Sequence, residues 1–98
     1  MPLFQLSEEV RQLPHAWSSR LLARFGDAQL KVLRMDEADY PEECHDYAEG
    51  LLVLDGQMLL RLDGQTISIG AGDLYVVPAG VPHSVAPGSR GTLLILDT

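Results

Sequence analysis

The chain has 98 residues, enough for one domain that buries roughly 60–65% of the surface its unfolded form exposes. Hydrophobic residues make up 46%, while 7 Lys+Arg against 14 Asp+Glu leave a net charge of −7. That balance excludes the basic face nucleic acid requires and any attraction to an anionic membrane surface, and one cysteine excludes an internal disulfide. No apolar run is long enough to span a bilayer, and the opening residues lack the basic stretch and apolar core of a secretory signal, so the expectation is a cytoplasmic protein.

Ser7, followed by Glu8, Glu9 and Val10, predicts an N-cap opening a short helical turn that ends before Pro14. Strand patterns then take over, first at 18–25, with Gly26-Asp27 as the turn, and next at 28–35, with Leu30 and Val32 on one face. Beyond an acidic segment lies a strong strand at 49–54. Asp55-Gly56 predicts a two-residue hairpin returning as 57–62, and Asp63-Gly64 repeats that turn. Residues 65–69 alternate polar and apolar; the Gly70–Asp73 turn leads into a strand at 74–77. That following strand excludes a nucleotide loop at Gly70-Ala71-Gly72, where a helix would be required. Pro78-Ala79-Gly80-Val81-Pro82 forms a rigid loop, and strands at 83–86 and 92–97 finish the chain. About seven to eight short strands joined by Gly, Asp and Pro turns predict an all-β antiparallel sandwich or barrel.

The net charge sits in one place. Asp36, Glu37, Asp39, Glu42, Glu43, Asp46 and Glu49 fall in a stretch with no Lys or Arg, and the rest of the chain is neutral. Most of these acids read as a solvated loop; any that face inward suit a cation, which relieves carboxylate repulsion. Glu43 and His45 lie two apart on an extended segment and so share a face. With Asp55-Gly56 closing a hairpin, Glu49 falls opposite Leu62, on the face of Leu51, Val53, Met58 and Leu60. A carboxylate on that apolar face needs a partner. His83 follows the proline-flanked loop, which suits a ligand that must be held still. Cys44 has the opposite parity and is expected to face away as a small filler. Tyr47 and Tyr75 read as packing residues at the core or the rim of a pocket, and His15 and Trp17 as a surface or interface segment.

These residues resemble the two motifs of the cupin superfamily. Glu43-Cys44-His45-Asp46-Tyr47-Ala48-Glu49, then Gly56, is similar to the first, G-x5-H-x-H-x3–4-E-x6-G. Gly72, Pro78, Gly80 and His83 match the second, G-x5-P-x-G-x2-H-x3-N, at its spacing. The departures are Glu43 at the first His position, Glu37 at the leading Gly and Pro87 at the final Asn. The resemblance covers roughly Lys31 to Thr98. It implies a small single-domain cupin: an antiparallel jelly-roll β-barrel of about six to eight strands, with the short N-terminal helical turn outside it. On this division residues 1–30 form strands and an arm packing on the barrel of residues 31–98, one domain overall. The resemblance also implies a divalent transition metal inside the barrel, iron, manganese, zinc or nickel. Carried over by position, its ligands become Glu43, His45, Glu49 and His83, with Glu43 alternatively one more solvated acid.

The expected function is binding or turnover of a small polar molecule at that metal. As an enzyme the chain would be a dioxygenase-like oxidoreductase or an isomerase, with Tyr47, Glu43 or Tyr75 beside the metal as acid or base. The alternatives are a non-catalytic ligand-binding or sensing module, and a decayed site of which Glu43 would be the sign. The last strand is apolar on both faces at Leu93, Leu94, Ile95 and Leu96, which predicts packing on both sides and a homodimer using the outer faces of the terminal strands.

Overall fold

Alternating apolar side chains and tight turns produce a curled antiparallel sheet. A computed structural model describes residues 3–98. Residues 1–2 of the expected N-terminal arm lie outside the described part. A short helix α1 (Leu6–Arg11) precedes β1 (Arg20–Phe25), β2 (Ala28–Met35), β3 (Tyr40–Glu43), β4 (Glu49–Leu62), β5 (Gln65–Gly70), β6 (Leu74–Val77), β7 (His83–Val85) and β8 (Arg90–Asp97). Strand order runs β1-β2-β8-β4-β7-β3, with β5 and β6 pairing β4. The all-β jelly-roll expectation holds, including the helical turn. The helix starts two residues earlier than predicted, with Gln5 rather than Ser7 at its N-cap and no side-chain cap; the Glu8 and Glu9 amides donate to the Gln5 carbonyl, each at 3.0 Å.

The largest correction concerns Asp55-Gly56. It is not a hairpin; β4 continues through it as one strand of 14 residues. On one side of the dipeptide Glu49, Leu51 and Val53 are buried, and on the other Met58, Leu60 and Leu62. Burial thus changes parity at that point. The cause is a β-bulge: the pairing with β8 goes from Val53↔Leu93 to Asp55↔Thr92, so one extra residue is inserted. A bulge and a two-residue turn leave the same parity signature, which is why the sequence pattern suggested a return. Gly56 is required here. Its φ is +76° and a Cβ would stand 2.1 Å from the Arg90 carbonyl oxygen, while opposite it a Cβ on Gly91 would stand 2.1 Å from the Asp55 carbonyl oxygen. The true hairpin is Asp63-Gly64. It closes β4 on β5 with Leu62↔Gln65 as the last pair, and both turn residues take positive φ, 52° and 71°.

Bent in this way, β4 serves two pairings at each end. Its first half lies between β6 and β8, its second half beside β5 and β7. The inward side chains of Leu33, Met35, Leu51, Val53, Met58, Leu60, Ile69, Val77, Val85 and Leu93 form the interior core. A smaller cluster lies on the outer face, where Val10 of α1 packs with Val32 and Leu94. The apolar run of β8 is therefore divided inside one chain: Leu93 and Ile95 face the interior cluster, and Leu94 lies under the helix side. No described helix is long and apolar enough to cross a membrane.

Candidate metal centre

The acidic segment is where local parity becomes chemistry. From Glu42 to Glu49 the chain alternates: Glu42, Cys44, Asp46 and Ala48 are exposed, whereas Glu43, His45 and Tyr47 are partly buried and Glu49 is buried. The acids thus divide as expected, some into solvent and some into the barrel. Cys44 does face away, but into solvent, so it is not a filler. Residues 40–43, anticipated as part of the acidic loop, form β3 and pair with β7, with Glu43 directly opposite His83.

Three ligand atoms, one each from Glu43, His45 and His83, lie within 4.8 Å of one another. His45 Nε2 is 3.4 Å from Glu43 Oε2 and 4.0 Å from Glu49 Oε2, and His83 Nε2 is 3.4 Å from Glu49 Oε1. All four side chains named from the sequence therefore meet, with Glu49 approaching through the two imidazoles. The proline-flanked loop positions both histidines. The Gly80 amide donates to the His45 carbonyl at 2.7 Å, and His83 Nδ1 lies 3.1 Å from the Val81 carbonyl. A carbonyl only accepts, so Nδ1 carries the proton and Nε2 presents its lone pair. That Nε2 is buried and has no hydrogen-bond partner. An orphaned imidazole lone pair, aimed among carboxylates, is the donor a first-row metal ion takes.

Burial holds the Glu49 carboxyl above its ordinary pKa. The two imidazoles pull the other way, and Glu43 and Asp97 add to the rise. The charge of Glu43, with burial second, raises the Tyr40 hydroxyl, which therefore stays protonated. Burial, then the charge of Asp97, does the same to Tyr47, whose ring stacks on His45 at 4.9 Å between centroids and 10° between planes.

The centre opens into a cavity of about 190 Å³. Its walls include Leu33, Leu51, Met58, Leu93 and Ile95, with the rings of Trp17, Tyr40 and Tyr47. Tyr47 reaches the cavity, while Tyr75 packs against the core. His15 is exposed, as expected, but Trp17 is no surface residue. It lines the cavity, its amide donates to the Arg34 carbonyl at 2.8 Å, and its indole Nε1 donates to Asp36 Oδ1 at 2.9 Å. Its φ of 64° is unusual for a bulky residue, and these two bonds hold it there. Sequence reasoning also missed Tyr40, Lys31 and Asp97. For Asp97 a signal existed, since it continues the inward parity of Leu93 and Ile95.

The sequence model of the Cupin domain family matches residues 32–98. Over 60 residues the chain is 44% identical to quercetin 2,3-dioxygenase of Bacillus subtilis strain 168, an alignment spanning 60% of this chain and 18% of that enzyme. A cupin-2 domain containing protein from Shewanella frigidimarina superposes with a TM-score of 0.87 at 25% identity, covering 97% of this chain and 93% of its own. A protein from Neisseria meningitidis gives 0.83 at 22% identity, covering 97% of each chain.

Proposed function

The chain belongs to the cupin family, and from that premise we propose that Glu43, His45, Glu49 and His83 hold one divalent first-row transition metal, at which a small molecule is bound and turned over. The observation that carries this reading is His83: its Nδ1 is committed to Val81, and its buried Nε2 has no partner. Two imidazoles with two carboxylates suit iron, manganese, zinc or nickel. When bound, such an ion supplies a Lewis acid that polarises an oxygen of the substrate.

The chain's own groups do the rest. The loop from Pro78 to Pro82 fixes the two imidazoles relative to each other. Apolar walls and the rings of Trp17, Tyr40 and Tyr47 exclude water and orient the substrate body. Tyr40 and Tyr47 keep their hydroxyl protons and can donate a hydrogen bond or a proton at the cavity. Of the two reaction types expected, similarity to the quercetin 2,3-dioxygenase favours a dioxygenase-like oxidoreductase over an isomerase.

The test is elemental mass spectrometry on protein purified without chelator or affinity metal. The expected result is close to one equivalent of a single first-row metal in the wild type and its loss in His83→Ala, with the circular dichroism unchanged. A wild-type protein without metal, or His83→Ala with full metal content, overturns the assignment. Turnover is tested separately, as oxygen consumption by the loaded protein.

A further inference from the structure

The cavity has a second polar pole, on its β2–β8 side. Lys31 Nζ and Asp97 Oδ2 form an ion pair of 2.9 Å, and the Asp97 side chain is only 3% exposed. One carboxylate oxygen is thus satisfied. The other, Oδ1, is buried and has no hydrogen-bond partner. Both residues line the cavity. Register places them: Lys31 pairs with Ile95, Gln29 with Asp97, and Gly50 with Leu96, so the next step along β4 brings Glu49 alongside Asp97 on the inward face. The pole therefore adjoins the centre described above, one strand away.

A buried acceptor without a donor costs free energy unless something fills it. Of the residues beside it by register, Ile95 carries no donor and Glu49 turns its carboxyl oxygens to the two imidazoles. We propose that Asp97, held in place by Lys31, is a ligand-recognition residue whose Oδ1 accepts a hydrogen bond from a hydroxyl of an aromatic ring seated in the cavity. The chemical class follows from the surroundings. A carboxylate acceptor selects a hydrogen-bond donor and rejects an anion. Three aromatic rings and five aliphatic side chains on the walls suit an apolar body. A volume of about 190 Å³ holds one ring, since engineered apolar cavities of about 150 Å³ already take benzene.

This inference rests on the reading of the cavity as a ligand site, but not on the metal. The experiment is therefore done in chelator, so that failure of the metal assignment does not enter it. Trp17 is the only tryptophan of the chain and lines the cavity, so its fluorescence reports occupancy. The probes are phenol and toluene, matched in size and differing in the hydroxyl, with excitation on the red edge of the indole band where neither absorbs. Wild type should bind phenol roughly tenfold or more tighter than toluene, as a hydrogen bond to a charged acceptor allows. Asp97→Leu should remove the preference. Because that change leaves Lys31 unpaired, the double variant Lys31→Met/Asp97→Leu is measured beside it; replacing a buried ion pair by apolar residues of similar size is often neutral for stability. Equal binding of the two probes by wild type, no binding of phenol, or a phenol preference that survives the double replacement each overturns the proposal.

Discussion

Glu49 is buried beside two imidazoles and is pushed upward by two further carboxylates, so its protonation is tied to folding. In chelated protein its folded pKa stands above its ordinary value of 4.5. Between those values the folded state holds the proton and the unfolded state does not, so stability falls as pH rises through that window. Glu49→Gln carries no such charge. Urea unfolding of both chelated proteins should therefore show the variant gaining on the wild type as pH rises from about 4.5, until the difference levels off above the folded pKa. A difference that shrinks over that range contradicts the direction assigned to Glu49. Glu43 tests the cluster from another side. It is less buried than Glu49 and lies 3.4 Å from His45. Glu43→Gln keeps one oxygen donor, so it should weaken metal affinity less than His83→Ala, measured by competition with a chromophoric chelator. Equal losses would make Glu43 as necessary as His83. Protons compete with the metal for the ligand atoms, so affinity in the wild type should also fall on acidification.

At the level of elements, two glycines that look alike in the sequence have different work. Gly56 and Gly64 each follow an aspartate and each have positive φ. A Cβ on Gly64 meets nothing within 4 Å, whereas on Gly56 it meets the β8 backbone at 2.1 Å. Gly64→Ala should cost about 1 kcal/mol from its backbone conformation alone. Gly56→Ala must also displace a strand and should cost more than about 2 kcal/mol. Thermal unfolding of the pair decides it, and equal costs would mean that the bulge is not held by close approach. The same pair shows what was legible. Turn chemistry and alternation are local, so the all-β class, α1, most strands and the Asp63-Gly64 hairpin could be read directly. Glu49 was placed on the core face by a hairpin that does not exist, and the placement survived because a bulge flips parity as a turn does. The four clustered residues were legible through the resemblance of their spacing to the two cupin motifs, with local parity in support at Glu43 and His45. The parity of β8 turned Asp97 inward, but its pairing with Lys31 was not legible, since the two lie 66 residues apart, across a pairing of β2 with β8 that no local pattern reveals.

For the whole molecule, charge and apolar surface lie apart. The exposed acids Glu37, Asp39, Glu42 and Asp46 stand on the segment around the cavity, where a second copy would be repelled. On the outer face of β6, β4 and β8 the picture is reversed. Leu74, Val76 and Leu96 are 57%, 55% and 40% exposed, although each belongs to a strand with buried neighbours. They are contiguous across Gly50: a Cβ there would touch Leu96 at 3.5 Å and Leu74 at 3.7 Å. Helix α1 covers the Val32 and Leu94 part of this face. So the apolar character of β8 on both sides is answered within the chain at Leu94 and left unanswered at Leu96. An uncharged apolar patch of this kind is self-complementary about a two-fold axis, which is the commonest way for a second copy to bury it. We therefore expect a homodimer through the outer faces of β6 and β8. Light scattering at tens of micromolar should give twice the chain mass. Val76→Glu with Leu96→Glu places four carboxylates across the axis and should give the monomer mass, with the circular dichroism and the metal content of the wild type retained. Both substitutions point outward, so they leave the cavity untouched. A monomeric wild type, or a double variant that still dimerises, would show that this face does not join two copies.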